Sequence, residues 1–440
     1  MNDFLFARSQ MAMSLAFHIV FAALGIGMPM LMVMAEGAFL RTGQPAYLEL
    51  SRRWAKGTAI LFAVGAVSGT VLSFELGLLW PVFMGKAGAI IGMPFSLEGF
   101  AFFTEAIFIG IYLYGASRLS PLLHWLVGVV VAISGILSGI FVVTANAWMN
   151  APAGFRLVHG QFTEIDPVAA MLNQASLHEA LHMTLAAFVA TGFAVASVHA
   201  FLLLRNPSSL FHRSALALAL AVAGISIPLQ IASGDLSARV TGRLQPAKLA
   251  AMEALYRTQA GAPVLIGGMP DDAARTVRYA LTIPHGLSLL LADDPSAKVV
   301  GLEEFPRNDW PNVRIVHWSF DLMVLSGFAM LAVAAWSGWH MLRRHRLADH
   351  PLLLRALVAT GPLGFVAIEA GWVVTEVGRQ PWIIYNLLRT KDAVTPMPGI
   401  AAPFLAFTIL YLVLAFVVFS LLRRQFLETD GAVAKPVNAA

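Results

Sequence analysis

The chain has 440 residues, 58% of them hydrophobic and only 12% charged, where a soluble domain carries about 25% charged residues; its mean hydropathy of +0.73 marks a membrane protein. It has no cysteine, which excludes disulfides, thiolate-bound metals, iron–sulfur clusters, covalently attached c-type haem and cysteine nucleophiles. The net charge of +4 requires no nucleic-acid partner, because basic cytoplasmic loops give membrane proteins this excess.

Apolar runs able to cross a ~30 Å hydrocarbon core, about 20 residues each, fall near 13–38, 56–80, 96–116, 124–148, 180–204, 215–234, 316–341, 355–377 and 402–422. The pattern predicts an all-α membrane protein of about nine spans. The first run follows one early cation, Arg8, with no small-residue cleavage site behind it. It reads as a retained span rather than a removed signal peptide. No internal repeat of helix length stands out. Residues 1–234 carry spans one to six, 316–425 spans seven to nine, and 426–440 a tail. The large break, 235–315, mixes Asp, Arg, Lys, Pro and Gly with amphipathic pieces such as Pro246 to Arg257. A segment of that size is more than a linker.

Loops on one side carry Arg41, Arg52, Arg53, Lys56, Arg118, Arg205, Arg213, Arg343, Arg344, Arg346, Arg355, Arg423 and Arg424. Short loops on the other carry only Arg8, Lys86, Arg156, Arg379, Arg389 and Lys391. This bias predicts the N-terminus outside, the C-terminus in the cytoplasm, and the long loop between spans six and seven outside.

Charged and polar residues inside apolar spans are expensive there, so each is a functional hypothesis by default. His18 is placed near the outer end of span one, and Glu98 and Glu105 near that of span three. His178 and His182 open span five, His317, Asp321 and Met323 open span seven, and Glu376 and Arg379 close span eight on the same side. Imidazoles, a thioether and carboxylates gathered at one level form a ligand set for haem iron that needs no thiolate. Each also has a plainer reading. A lone histidine such as His18 is more often an interhelical hydrogen-bond donor, and most of the 18 methionines are packing. His178 and His182 share a face one turn apart, so one of them serves a given iron, and His182 is the deeper. Glu98 and Glu105, two turns apart on one face, suit proton relay or metal ligation better than packing. The aromatic run Phe100 to Phe108 reads as lipid or core packing. A transporter with a polar intramembrane path is the rival class.

The chain resembles the large, haem-bearing subunit of cytochrome bd-type quinol oxidases over nearly its whole length. The matching pieces are Arg8-Ser-Gln-Met-Ala with His18, Glu98-Gly-Phe-Ala-Phe-Phe-Thr-Glu105, Ala145-Asn-Ala-Trp-Met-Asn-Ala-Pro152 and Leu181-His182. They continue with Gly234-Asp235, Gln245-Pro-Ala-Lys248-Leu-Ala-Ala-Met-Glu253, Phe320-Asp-Leu-Met323-Val, and Glu369-Ala-Gly-Trp372 through Gly378-Arg379-Gln-Pro-Trp382. The resemblance implies that His182 and Met323 are the axial pair of haem b558. It implies that His18 and Glu376 each serve one of haems b595 and d, in an order left open, with a b-type haem as an alternative to haem d. Glu98 then lies beside these haems as ligand or proton donor, Glu105 on their proton path, Trp372 between haems and Arg379 against haem carboxylates. Lys248, Glu253 and Gln245 belong to a quinol site in the outer loop, with ubiquinol or menaquinol as substrate. The resemblance further implies a second membrane subunit, an optional small single-span subunit, and a place in a bacterial inner membrane. Three departures stand out: Asp321 replaces an arginine of the best-known members, the loop is of the short type, and Glu98 and Glu105 are one residue closer. These resemble the cyanide-insensitive branch.

Overall fold

The computed structural model describes residues 3–343 and 347–433, with side chains described to residue 425. Arg344, Arg346 and the last part of the expected tail, residues 434–440, lie outside the described residues. Among the described residues, nine helical spans are long and apolar enough to cross a membrane. The first four are α1 (Asp3–Thr42), α2 (Pro45–Leu79), α3 (Pro81–Tyr114) and α4 (Pro121–Asn150). A short ribbon of β1 (Arg156–Val158) and β2 (Gln161–Thr163) and the one-turn α5 (Pro167–Met171) lead to α6 (Ser176–Arg205) and α7 (Leu210–Leu244). After the long loop come α10 (Val313–Leu342), then α11 (Pro351–Thr360) and α12 (Leu363–Arg379) as one broken span, and finally α13 (Ala401–Val433).

Local chemistry sets the helix starts. Pro45, Pro81, Pro121 and Pro351 occupy first turns, where the missing N–H has no intrahelical partner to lose. Ser120, Ser209 and Asn312 cap α4, α7 and α10 by accepting the amides of Leu123, His212 and Ile315. The eighth span divides at Gly361-Pro362, because a proline inside a helix removes an i→i−4 bond.

The helices outrun the apolar windows. The sixth span continues to Leu244, so the first residues assigned to the loop are helical. The third begins at Pro81 rather than near 96. Counting from Pro81, Glu98 lies about 25 Å and Glu105 about 36 Å along α3. Glu105 therefore sits past the midpoint, deeper than the apolar window suggested. The helix is continuous between the two glutamates.

The helix α1 lies at the centre, packed on α2, α4, α6, α7 and α13, while α6 joins α7, α11 and α12. On α3, Phe100, Phe103 and Ile107 are exposed, so these three side chains of the run lie outside the core. The loop after α7 holds α8 (Pro246–Met252) and then a nested antiparallel ribbon. In it β3 (Gln259–Ala260) pairs with β8 (Lys298–Val299), β4 (Val264–Ile266) with β7 (Leu281–Ile283), and β5 (Met269–Asp271) with β6 (Thr276–Arg278). The short α9 (Gly286–Ala292) lies on its return arm. A last ribbon, β9 (Trp382–Ile384) with β10 (Leu388–Arg389), follows α12.

Phe193 is fully buried in a cluster with Val189, Ala223, Ile227 and Met330, joining α6, α7 and α10. Phe193→Ala is expected to cost about 3–5 kcal/mol through the cavity it leaves, read as a lower thermal unfolding midpoint in detergent.

Candidate functional site

The polar centre of the molecule is Asn150, at the C-terminal end of α4 and 2% exposed. Its Oδ1 accepts from Lys248 Nζ at 3.0 Å, Arg379 Nη1 at 3.0 Å and Gln245 Nε2 at 3.3 Å. Its Nδ2 donates to Glu179 Oε1 at 2.9 Å and Asn146 Oδ1 at 3.1 Å. Asn146 donates to Glu376 Oε1 at 2.6 Å, and Arg379 Nη2 closes the ring on Glu376 Oε2 at 2.5 Å. Four segments thus meet in one network: α4, α6, the start of the loop, and α12. The sequence brought Glu376, Arg379, Lys248 and Gln245 forward as candidates, and the structure joins them. It adds Asn146, Asn150 and Glu179, which the sequence reading gave no role.

The run Gly378-Arg379-Gln380-Pro381-Trp382 now has a local explanation. A Cβ on Gly378 would stand 2.8 Å from Lys248 Cγ, so glycine lets the lysine stem pass. Gln380 accepts from Thr390 Oγ1 at 2.8 Å, and Trp382 carries the Arg389 guanidinium 4.6 Å from its ring centroid. Arg389 also pairs with Asp309. The motif therefore ends α12, admits Lys248, and seats the β9–β10 ribbon against the long loop.

Lys248 is 4% and Glu253 5% exposed. Burial lowers the Lys248 ammonium from its ordinary range, and the Arg379 charge adds to the effect. Burial raises the Glu253 carboxyl to about 8, with Asp321 adding repulsion. Asp321 itself accepts the Gly267 amide at 2.7 Å and stands 3.5 Å from His317 Nε2. The His317 ring faces the carbonyls of Met252 and Gly267. Asp321 and His317 therefore dock the loop onto α10, which gives Asp321 a structural role.

The other candidates lie on neighbouring helices. His182 Nδ1 meets Ser233 Oγ at 2.9 Å and its Nε2 faces Gln230 Nε2 at 3.0 Å. His178 makes the parallel contact one turn away, to Ser237 at 3.1 Å. His18 Nδ1 meets Ser68 Oγ at 2.9 Å. Glu98 accepts from Ser138 at 3.3 Å, whereas Glu105, 4% exposed, has a buried Oε1 with no partner. Met323 on α10 lies against α12, its Sδ 3.1 Å from where a Cβ on Gly371 would stand. Trp372 is half-buried on α12. Among the described residues no hydrogen bond or ion pair joins His182 to Met323, or His18 to Glu376. A further buried carboxylate escaped the sequence reading: Glu75 accepts from Gln10 at 3.0 Å and Ser14 at 2.9 Å. Gln10 belongs to the Arg8-Ser-Gln-Met-Ala piece, so that motif holds α2 against α1.

The residues fit haem groups. His182 and His18 each commit Nδ1 to a serine, the arrangement that turns Nε2 toward a metal, and on His182 an iron would take the place of the Gln230 amide now at Nε2. Gln230 Oε1, Glu369 Oε1 and Arg379 Nε are buried without partners, polar atoms of the kind that groups bearing iron and carboxylates satisfy. Gly371 keeps the Met323 sulfur free of a neighbouring side chain.

The family model for cytochrome bd terminal oxidase subunit I matches residues 6–429. The "Putative cytochrome bd menaquinol oxidase subunit I" of Bacillus subtilis is 38% identical over 431 residues, covering 96% of each chain. The cytochrome bd ubiquinol oxidase subunit 1 of the same organism is 31% identical, over 100% of this chain and 97% of its own. Among solved structures, the bd oxidase from Geobacillus thermodenitrificans superposes with a TM-score of 0.92 at 37% identity, over 97% of this chain and 99% of that one.

Asn150→Ala strands the buried donors of Lys248 and Arg379. It is expected to cost about 3 kcal/mol or more, seen as a fall in thermal midpoint, and Asn150→Asp, which sets a carboxylate oxygen against Glu179 and Asn146 Oδ1, should lower it as well.

Proposed function

The chain belongs to the cytochrome bd terminal oxidase subunit I family, and from that premise we propose in detail how its residues serve quinol oxidation and dioxygen reduction. It is a multi-pass membrane subunit of a quinol:oxygen oxidoreductase that binds haem and works with a second subunit. Family membership removes the ground for the transporter reading. The observation that carries the detailed proposal is the Asn150 network, because it links the proposed quinol residues Lys248 and Gln245 directly to Glu376 and Arg379 at the proposed haem end.

In this reading three haems are held: one by His182 and Met323, and two by His18 and Glu376, with Trp372 and Arg379 packed around them. When bound, they supply one-electron transfer and the place where dioxygen is reduced. The loop between α7 and α10, residues 245–312, faces outside and binds quinol. Lys248 and Gln245 orient a quinol oxygen through the Asn150 network, and Glu253 takes up a quinol proton. Glu98 and Glu105 hold protons on the way to the haem pair. Protons released outside and drawn from the cytoplasm separate charge without a pump. The segregation of arginines to one set of helix ends supports this orientation. The chemistry of the ligand set is the same whether the third haem is of d or b type.

His182→Ala and Met323→Leu are each expected to remove the low-spin haem absorbance and stop quinol oxidation, while the dithionite-reduced protein still binds carbon monoxide at a high-spin site. A normal low-spin spectrum in both variants rejects the pair.

The Glu253 carboxyl also predicts a pH profile. Its raised value of about 8, against a usual 4.5, means that the folded protein keeps a proton which the unfolded chain loses. Its contribution to stability is therefore full below the unfolded value and falls as pH rises from 4.5 through about 8. The deprotonated form accepts the quinol proton, so quinol oxidation should rise as pH passes through about 8. Glu253→Gln should give a low rate with that rise removed, as measured by oxygen uptake with a short-chain quinol.

A further inference from the structure

Far from the Asn150 network, at the opposite end of the bundle, four helices bury a second polar cluster. Glu36 of α1 is 3% and His124 of α4 9% exposed. His124 Nδ1 lies 2.6 Å from Glu36 Oε1, and its Nε2 faces the Tyr112 carbonyl at 2.9 Å. The Tyr112 hydroxyl donates to Glu36 Oε2 at 2.5 Å and meets Ser51 Oγ of α2 at 2.6 Å. The tyrosine, 3% exposed, belongs to α3.

Position along α3 connects this cluster to the glutamates. Glu98, Glu105 and Tyr112 follow one another at seven-residue steps, about two turns or 10 Å each, so they form one stripe. Helix α4 runs antiparallel to it and answers each member in turn. Ser138 bonds Glu98; a Cβ on Gly135 would stand 3.4 Å from the Glu105 carboxylate; a Cβ on Gly128 would stand 2.9 Å from the Tyr112 ring. Between those glycines α4 presents Val131 and Ala132, and between Glu105 and Tyr112 α3 presents Ile109, all three buried. Glu105 keeps its buried, unpartnered Oε1 on this stripe.

We propose that Glu36, His124, Tyr112 and Ser51 form a proton-loading site that supplies Glu105 from the end of the bundle opposite the quinol loop. The proposal rests on the oxidase reading above and extends its proton path by one station. The facing His124 and Glu36 share one proton; a second, from water, converts them into imidazolium and carboxylic acid. The Tyr112 hydroxyl passes a proton inward and regains one from the Glu36 acid, which restores the starting pair. One proton moves and no electron does. Water molecules admitted transiently beside Gly128, Ala132 and Gly135, past Val131 and Ile109, carry it across the remaining 10 Å or so to Glu105. A cluster that merely locked α1 to α4 would need neither the heptad alignment nor an acceptor left unpaired at its next step.

The test uses the purified two-subunit oxidase with Glu36→Gln, Tyr112→Phe and, for comparison, Glu105→Leu. Oxygen uptake driven by a short-chain quinol, haem absorbance and the solvent isotope effect are measured on each. Glu36→Gln and Tyr112→Phe are expected to keep haem content and anaerobic reduction by quinol while slowing turnover on the order of tenfold or more, with an isotope effect raised as in Glu105→Leu. If Glu36→Gln fails to assemble, Tyr112→Phe decides, since it removes one hydroxyl at nearly constant volume. Parental turnover and isotope effect in a haem-loaded Tyr112→Phe protein overturn the proposal, as does loss of activity only in step with loss of haem. Slow Glu105→Leu beside normal cluster variants defeats this inference alone, whereas an inactive parent complex defeats the oxidase reading itself.

Discussion

Everything polar in this molecule answers to one constraint: a charge or amide within an apolar bundle must find its partner inside the protein. Asn150 meets that constraint for the end of the bundle that carries the loop. It is neutral, yet its two ends accept and donate at once, so it can stand between Lys248 and Arg379 on one side and Glu179 on the other. A carboxylate there would tilt the charge balance, and an apolar residue would leave two cations facing each other. The positions of α12, the start of the loop and the ends of α4 and α6 follow from satisfying this one amide.

The same constraint explains why polar side chains come in interhelical pairs elsewhere. Glu75 has Gln10 and Ser14, His18 has Ser68, and His182 has Ser233. Serines and glycines recur at these contacts because small residues let helices approach closely. Helix α1 takes part in two of these pairs and in the Glu36 cluster, which fits its central place among the other spans.

The nine spans were legible because a hydrocarbon core demands long apolar runs, and such runs are unmistakable in the chain. The candidates Glu376, Arg379, Lys248 and Gln245 were legible because charge within or beside such a run is conspicuous, and the structure brings them together. Asn146 and Asn150 were not, since an amide near a helix end looks like any interface residue until its partners are known. Glu36 was hidden for another reason. It stands a turn and a half before Arg41, where a carboxylate reads as an ordinary helix end facing water, and only the packing of α3 and α4 buries it. Helix ends were misjudged where amphipathic turns extend beyond the apolar window, which is why Glu105 lies deeper along α3 than expected.

The nested ribbon of the long loop separates length from register. Its base is fixed where β3 meets β8, and further along Asp321 holds Gly267 and Tyr256 holds Asp272, whereas its exposed tip, residues 273–274, turns between β5 and β6. Residues inserted at that tip would lengthen the hairpin without shifting Lys248 or Glu253, which precede the ribbon. The closure entropy of a longer turn grows only slowly with its length. The loop is thus built like an extensible sleeve on a fixed collar, free to gain or lose outer surface over generations while the residues beneath it keep their places.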